Sequence, residues 1–228
     1  MDSNTSTSSN NNPMIWSIVT LVLGIILFLF GGIILAKGLK CIKFTRGISG
    51  LWFFGYLTYL LGIVIIVNVS PSDPTTALWI VFGCTIGFSI LGAILCGAIG
   101  ILGDIILGAA SGWSLWTIFS PFVSNNIVNL VVSIVLALVF AILVVWFKEK
   151  AQIFASSWIG SILLISGAVY VIINSIVLSG NYDALVSGSL ILYIISIIAT
   201  FLVFAVASYL HFRSNSSIQQ PIEKQEDA

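Results

Sequence analysis

Apolar positions in this chain run in long unbroken blocks, with neither the one-sided period of a soluble helix nor the alternation of a half-buried strand. Seven such blocks, at about 15–36, 47–67, 77–99, 104–123, 127–147, 151–176 and 185–210, are each long enough to cross a bilayer core as a helix. Polar or turn-rich junctions separate them: Lys37–Arg46, Ser70–Pro74, Lys148–Lys150 and Ser179–Asp183. Between Ala77 and Val123 the only charge is Asp104, in a stretch far too long for one crossing. We read it as two helices with a tight turn around Gly100–Asp104, the second ending at Pro121. The pattern therefore predicts an all-α membrane protein, a bundle of seven transmembrane helices. Residues 1–14 form a polar, disordered outer tail, and residues 211–228 a disordered cytosolic one.

Charge orients the bundle. Lys37, Lys40, Lys43 and Arg46 follow the first block, Lys148 and Lys150 the fifth, and Arg213 and Lys224 the seventh; no other junction has a Lys or Arg. The positive-inside rule then places the N-terminus outside and the C-terminus in the cytosol. On that topology the inner side carries eight bases against five acids, and the outer side only Asp2, Asp73 and Asp183. The basic run Lys37–Arg46 suits anionic lipid headgroups, at about 1 kcal/mol per charge near the surface. It is too sparse, and too close to a span, for nucleic acid.

Composition agrees. Apolar residues make up 59% of the 228 and charged ones 7%, with a mean hydropathy of +1.16. No soluble domain could cover such a surface. The first fourteen residues contain no base, so the first span reads as an uncleaved anchor and not as a signal peptide. Asn4-Thr5-Ser6 is a glycosylation sequon on the outer tail, and Asn68-Val69-Ser70 a second one close to the bilayer. Cys41, between Lys40 and Lys43, is the palmitoylation candidate. Cys84 and Cys96 share a helix and give no disulfide framework.

The third and fourth spans are dense in small residues. Gly83 and Gly87, then Ala93 and Gly97, then Gly108 and Gly112 have small-xxx-small spacing, and Thr85 and Ser89 continue the pattern. Helices in lipid associate through close van der Waals contact, which small side chains permit, so these six residues are predicted to be packing positions. Asp104 caps the inner turn or serves as a polar or ion site, since a carboxylate at membrane depth is expensive. Ser124, Asn125, Asn126 and Asn129 form an outer loop. Trp113, Trp116 and Phe119 make an aromatic stripe that packs on lipid or on other helices.

His211 is the only histidine and lies at the inner boundary, which leaves neither a Ser–His catalytic pair nor a multi-histidine metal site within the membrane. The chain is thus expected to be no enzyme and to need no cofactor. Receptor motifs are absent too: no Asp-Arg-Tyr-like triplet ends the third span and no Asn-Pro marks the seventh. Three stretches do resemble a known family: Gly31-Gly32 with Lys37–Gly50 and Phe53-Phe54-Gly55; the glycine-studded run Gly87–Gly112; and Phe147–Lys150 with Ser156–Gly167. They are similar to the seven-span domain of the family containing transmembrane seven superfamily member 3 and transmembrane protein 198. Where that family often has a base between spans three and four, Gly103-Asp104 stands here. The resemblance implies a multi-pass protein of the plasma membrane or endomembranes without an established catalytic centre, whose members organise other membrane or signalling proteins. Expected partners are the bilayer and other membrane proteins or a second copy, without nucleic acid. The competing reading is a channel or transporter for a small neutral or hydrophobic solute, its path lined by Thr85, Ser89 and Asn129.

Overall fold

The computed structural model describes residues 12–69, 74–180 and 182–226. All regular elements among them are helical: α1 (Asn12–Lys37), α2 (Ile42–Val69), α3 (Pro74–Ala98), α4 (Gly100–Phe119), α5 (Asn126–Leu178) and α6 (Tyr182–Glu226), with short 3-10 turns at Gly38–Cys41 and Ser120–Phe122. All six helices contain apolar windows long enough to span a membrane. Outside α5 these windows run from 20 to 27 residues, about 30–40 Å at 1.5 Å per residue, which matches a hydrocarbon core of about 30 Å.

Polarity is arranged accordingly. Ile101, Ile127 and Trp146 stand more than 70% exposed, whereas Thr45, Ser49, Ser111, Ser156 and Ser157 are almost wholly buried. Backbone groups inside lipid have no water to bond, so helices satisfy them internally. Several buried hydroxyls follow the same rule by bonding back along their own helix: Ser111 Oγ donates to Leu107 O at 2.8 Å and Ser133 Oγ to Asn129 O at 2.7 Å. The chain is built as a membrane-embedded, multi-pass protein.

At 53 residues α5 is too long for a single crossing, and it is broken at Lys148, whose φ of 38° and ψ of −112° are not helical. Those angles lie near the first central position of a type II′ turn, about 60° and −120°, where glycine is the favoured residue. The Phe140 and Phe154 rings, fourteen positions apart, meet at 6.5 Å, so the chain reverses at the break. We call the two parts α5a (126–147) and α5b (149–178).

Contacts divide the molecule into two compact units, one taking in α1 to Ala36 with Gly160–Ala207, the other Lys37–Ile159 with the residues from Ser208 onward. In the second unit, α3 runs antiparallel to α2: Gly50 abuts Gly92 and Cys96, and Gly62 abuts Val81. α4 runs parallel to α2, because Arg46 meets Asp104 and the Tyr56 ring meets that of Trp113 at 5.9 Å. α5a returns antiparallel to α4, with Gly108 against Phe140 and Ala141 and Gly112 against Leu136 and Ala137. α5b follows α4 again through Ser114 and Trp158. The start of α2, the start of α4 and the Lys148 break therefore fall at one end of this unit. Two basic stretches that are distant in sequence share that end.

In the first unit, Gly24 and Gly31 of α1 face Gly167 and Gly160 of α5b, antiparallel. A Cβ at Gly31 would come within 2.7 Å of the Gly160 carbonyl oxygen, and one at Gly24 within 2.8 Å of Tyr170 Cβ. Beside them Thr20 Oγ1 donates to Asn174 Oδ1 at 2.7 Å. The α5–α6 turn closes at Gly180, whose φ of +74° is a left-handed helix terminus that glycine adopts without steric cost.

Several boundaries differ from the sequence pattern. α2 begins at Ile42, not near Gly47, because the long stem of Lys43 can carry its charge to the interface while the charge of Arg46 is met by Asp104. α1 already starts at Asn12, and α6 continues beyond Leu210 to Glu226, where a disordered tail was expected. Extending a formed helix adds one hydrogen bond per residue fixed, so low hydrophobicity alone does not end it. Residues 1–11, with the Asn4 sequon, lie outside the described residues.

Close backbone contact predicts sharply position-dependent substitutions. Gly108→Leu and Gly31→Leu should each lower stability by about 2 kcal/mol or more, as overpacking against backbone does. Gly83→Leu should leave it unchanged. Thermal unfolding of detergent-solubilised protein checks this, and equal effects at all three positions would refute the packing assignment.

Candidate functional site: a cross-helix ion pair and the small-residue faces

α3 ends at Ala98 and α4 begins at Gly100, so Ile99 alone, extended at φ −98° and ψ 101°, makes the turn. Its N–H donates to Leu95 O at 2.8 Å, closing α3, while its carbonyl accepts Gly103 N–H at 2.9 Å, opening α4. The turn thus needs no side-chain cap, and none is made. This corrects the reading of Asp104 as a cap: it lies one helical turn further on, and its carboxylate turns to α2.

There it meets Arg46. Nε donates to Asp104 Oδ1 at 2.7 Å and Nη2 to Oδ2 at 2.9 Å, a two-pronged bond between side chains only 15% and 16% exposed. The fork of the guanidinium matches the carboxylate, which makes such pairs both strong and directional. Gly103 makes room for it, with Gly100 in ordinary contact beside it. A Cβ at Gly103 would lie 2.8 Å from Arg46 Cδ, and one at Gly100 would lie 3.4 Å from Nη1. Arg46 therefore lies across the first turn of α4 before reaching Asp104, so a carboxylate that looked isolated in sequence is compensated from 58 positions away. The pair can tie α2 to α4 at the basic end; its geometry leaves Asp104 engaged on both oxygens.

The small-residue positions separate into three kinds. Gly108 and Gly112 are packing residues as expected: a Cβ at Gly108 would lie 2.5 Å from Phe140 O and 2.7 Å from Ala141 Cα. Ala93, partly buried, presents its carbonyl to Gly47, and Gly97 makes only an ordinary contact, 3.6 Å from Lys43 O. Gly83 and Gly87 correct the expectation, since a Cβ at either would meet nothing within 4 Å among the described residues. The reason is rotational. At about 100° per residue, Gly83 and Gly87 fall on nearly one side of α3, and Thr85, Ser89, Gly92 and Cys96 on the opposite side. α2 covers that second side with Gly50 and Gly55.

Several of the remaining polar residues are engaged locally. Asn125 Oδ1 accepts Ile127 N–H at 2.9 Å and Val128 N–H at 3.3 Å, capping α5. Asn126 and Asn129 accordingly belong to that helix, not to the loop. Asn129 Nδ2 donates to Val123 O at 2.9 Å, so it closes the loop, while Thr85 and Ser89 are turned to Gly55. Trp113 packs with Phe53 against Ala109, Ala137 and Ala141, and Trp116 lies beside Phe119. His211 lies beside a serine, its Nδ1 3.1 Å from Ser157 Oγ. Ser157 is fully buried, so the pair joins α5b to α6 and offers no exposed nucleophile. Cys41 is partly buried in the 3-10 turn and Cys84 is exposed.

Sequence reasoning missed the cross-helix polar contacts of Asn174 and Thr20 and of Trp158 Nε1 and Ser114 Oγ, the latter at 3.1 Å. An amide near the far end of the sixth apolar block, Asn174, was the available signal for the first. It also missed the spacing of seven shared by Gly24 and Gly31 and by Gly160 and Gly167, which became meaningful once the two helices were seen face to face. No family model matches the chain, and no curated protein or solved structure matches it.

Asp104→Asn should cost about 1–3 kcal/mol, because an amide replaces the charged acceptor of a two-pronged bond and leaves Arg46 uncompensated. Arg46→Gln should cost a similar amount. In a double-mutant cycle the two should show a coupling of about 1–2 kcal/mol. Additive effects would mean that the two side chains act independently.

Proposed function

We propose that this chain is a seven-span membrane protein, N-terminus outside and C-terminus cytosolic, that organises other membrane proteins or its own copies through the open small-residue face of α3. The observation that carries the proposal is the two-sided character of α3. One small-residue side is filled by α2, while Gly83 and Gly87 on the other meet nothing among the described residues, with the exposed thiol of Cys84 beside them. Small-xxx-small spacing on an open helix face lets a second transmembrane helix come close enough for backbone contact, the main source of helix association in lipid. The resemblance to the seven-span family of transmembrane seven superfamily member 3 and transmembrane protein 198 points the same way. Counting α5a and α5b as separate crossings brings the number to seven. The orientation is supported by the basic residues of Lys37–Arg46 and Lys148–Lys150 gathering at one end.

Tags at the two termini should respond oppositely to protease added to sealed vesicles. Equal accessibility would overturn the span count. For the organising role, a short thiol-to-thiol cross-linker applied to native membranes should capture adducts at Cys84 in a variant carrying Cys41→Ala and Cys96→Ala. Adding Gly83→Leu or Gly87→Leu should abolish them at unchanged thermal stability. Adducts that persist in both leucine variants would remove the α3 face from consideration.

A further inference from the structure

The reversal at Lys148 leaves an apolar cavity of about 390 Å³ between α5a and α5b, lined by Phe140, Leu143, Val144 and Phe147 on one side and by Lys150, Ala151, Phe154 and Ala155 on the other. Its origin is in the local sequence. A tight turn brings two helices together over their first turns, but the Phe140 and Phe154 rings are wedged between them at 6.5 Å, while Ala151 and Ala155 are too small to fill what the rings hold open. Val144 and Ala155 are fully buried, and Phe147 and Phe154 are well exposed, so the space opens from a closed floor towards the surrounding lipid. Phe140 precedes the break by eight residues, which puts the cavity within about 12 Å of the end of the helix pair.

That mouth carries charge. The stem of Lys150 lines the cavity, Lys148 and Lys150 are both exposed, and neither has an acidic side chain within ion-pair distance among the described residues. Lysines at a span end extend their ammonium groups towards the headgroups while their stems stay on apolar surface. An apolar slot with an unpaired cation at its opening has the chemistry of a site for one amphiphile: a chain for the slot and an anion for the lysine. We infer that this cavity holds one acyl chain of an anionic phospholipid from the leaflet at the basic end, with the headgroup phosphate on Lys150. A neutral lipid would satisfy the slot but not the lysine, and a soluble anion would satisfy the lysine but not the slot. The inference requires a bilayer around α5 and does not rest on the α3 face.

Native mass spectrometry from nanodiscs of equimolar phosphatidylserine and phosphatidylcholine provides the test. The parent should release with one phosphatidylserine retained in clear preference to phosphatidylcholine. Lys150→Gln, a change at an exposed side chain, should reduce that preference about fivefold, the effect of about 1 kcal/mol per basic charge at a membrane surface. Ala151→Phe, which fills the slot, should eliminate retention of either lipid; size-exclusion elution identical to the parent's establishes that it has folded. If Ala151→Phe does not fold, Ala155→Val serves as the smaller filler and should lower retention in the same direction. Equal retention of both lipids by the parent, a preference unchanged in Lys150→Gln, or retention unchanged in a folded slot-filling variant would each overturn the inference.

Discussion

Helices in a bilayer gain nothing by hiding apolar side chains from water, because lipid tails receive those side chains equally well. What holds them to one another is short-range contact, and this falls away within a fraction of an ångström. Closely approaching backbones are therefore the constraint on which this structure depends. At Gly31 and Gly160, Gly50 and Gly92, and Gly108 and Gly112, one helix lies directly on the main chain of another. Each glycine forgoes the better helix propensity of alanine, by about 1 kcal/mol in water. It does so where contact with a neighbouring helix more than compensates.

A few polar links add direction to contacts that otherwise have none. Arg46 and Asp104 join α2 to α4 with two bonds in fixed geometry, Trp158 bonds Ser114 between α5b and α4, and Thr20 bonds Asn174 between α1 and α5b. Interhelical hydrogen bonds in membranes average well under 1 kcal/mol each. Their value lies in register: sliding α4 by one turn would separate Arg46 from Asp104. Gly103 serves this pair as well, since the Arg46 side chain occupies the space that its missing Cβ leaves.

The same need for small residues explains why one side of α3 stands apart. Its Thr85–Cys96 side is matched by glycines on α2, whereas the Gly83–Gly87 side, also small, has no occupant among the described residues. At the α5 reversal the mismatch is of the other kind, with two phenylalanines too large and two alanines too small for close packing. Both places are incomplete as helix contacts, and each is open to what surrounds the protein in the membrane.

Much was legible from the chain alone. Blocks of apolar residues located the helices, since their length is set by bilayer thickness, and the one-sided distribution of Lys and Arg suggested which ends lie together. The density of glycine in spans three and four marked Gly108 and Gly112 correctly. Spacing could not tell that Gly83 and Gly87 face away from α2 while Gly92 faces it, because all three lie in one block that is apolar all round and so has no marked inner side. Nor could it pair Asp104 with Arg46, since 58 intervening residues pass through two helices before the chain returns to the same end. Composition, length and charge asymmetry are properties of the chain by itself. Which face meets which, and which charge finds a partner, depend on helix rotation and depth, and these exist only once the helices are packed.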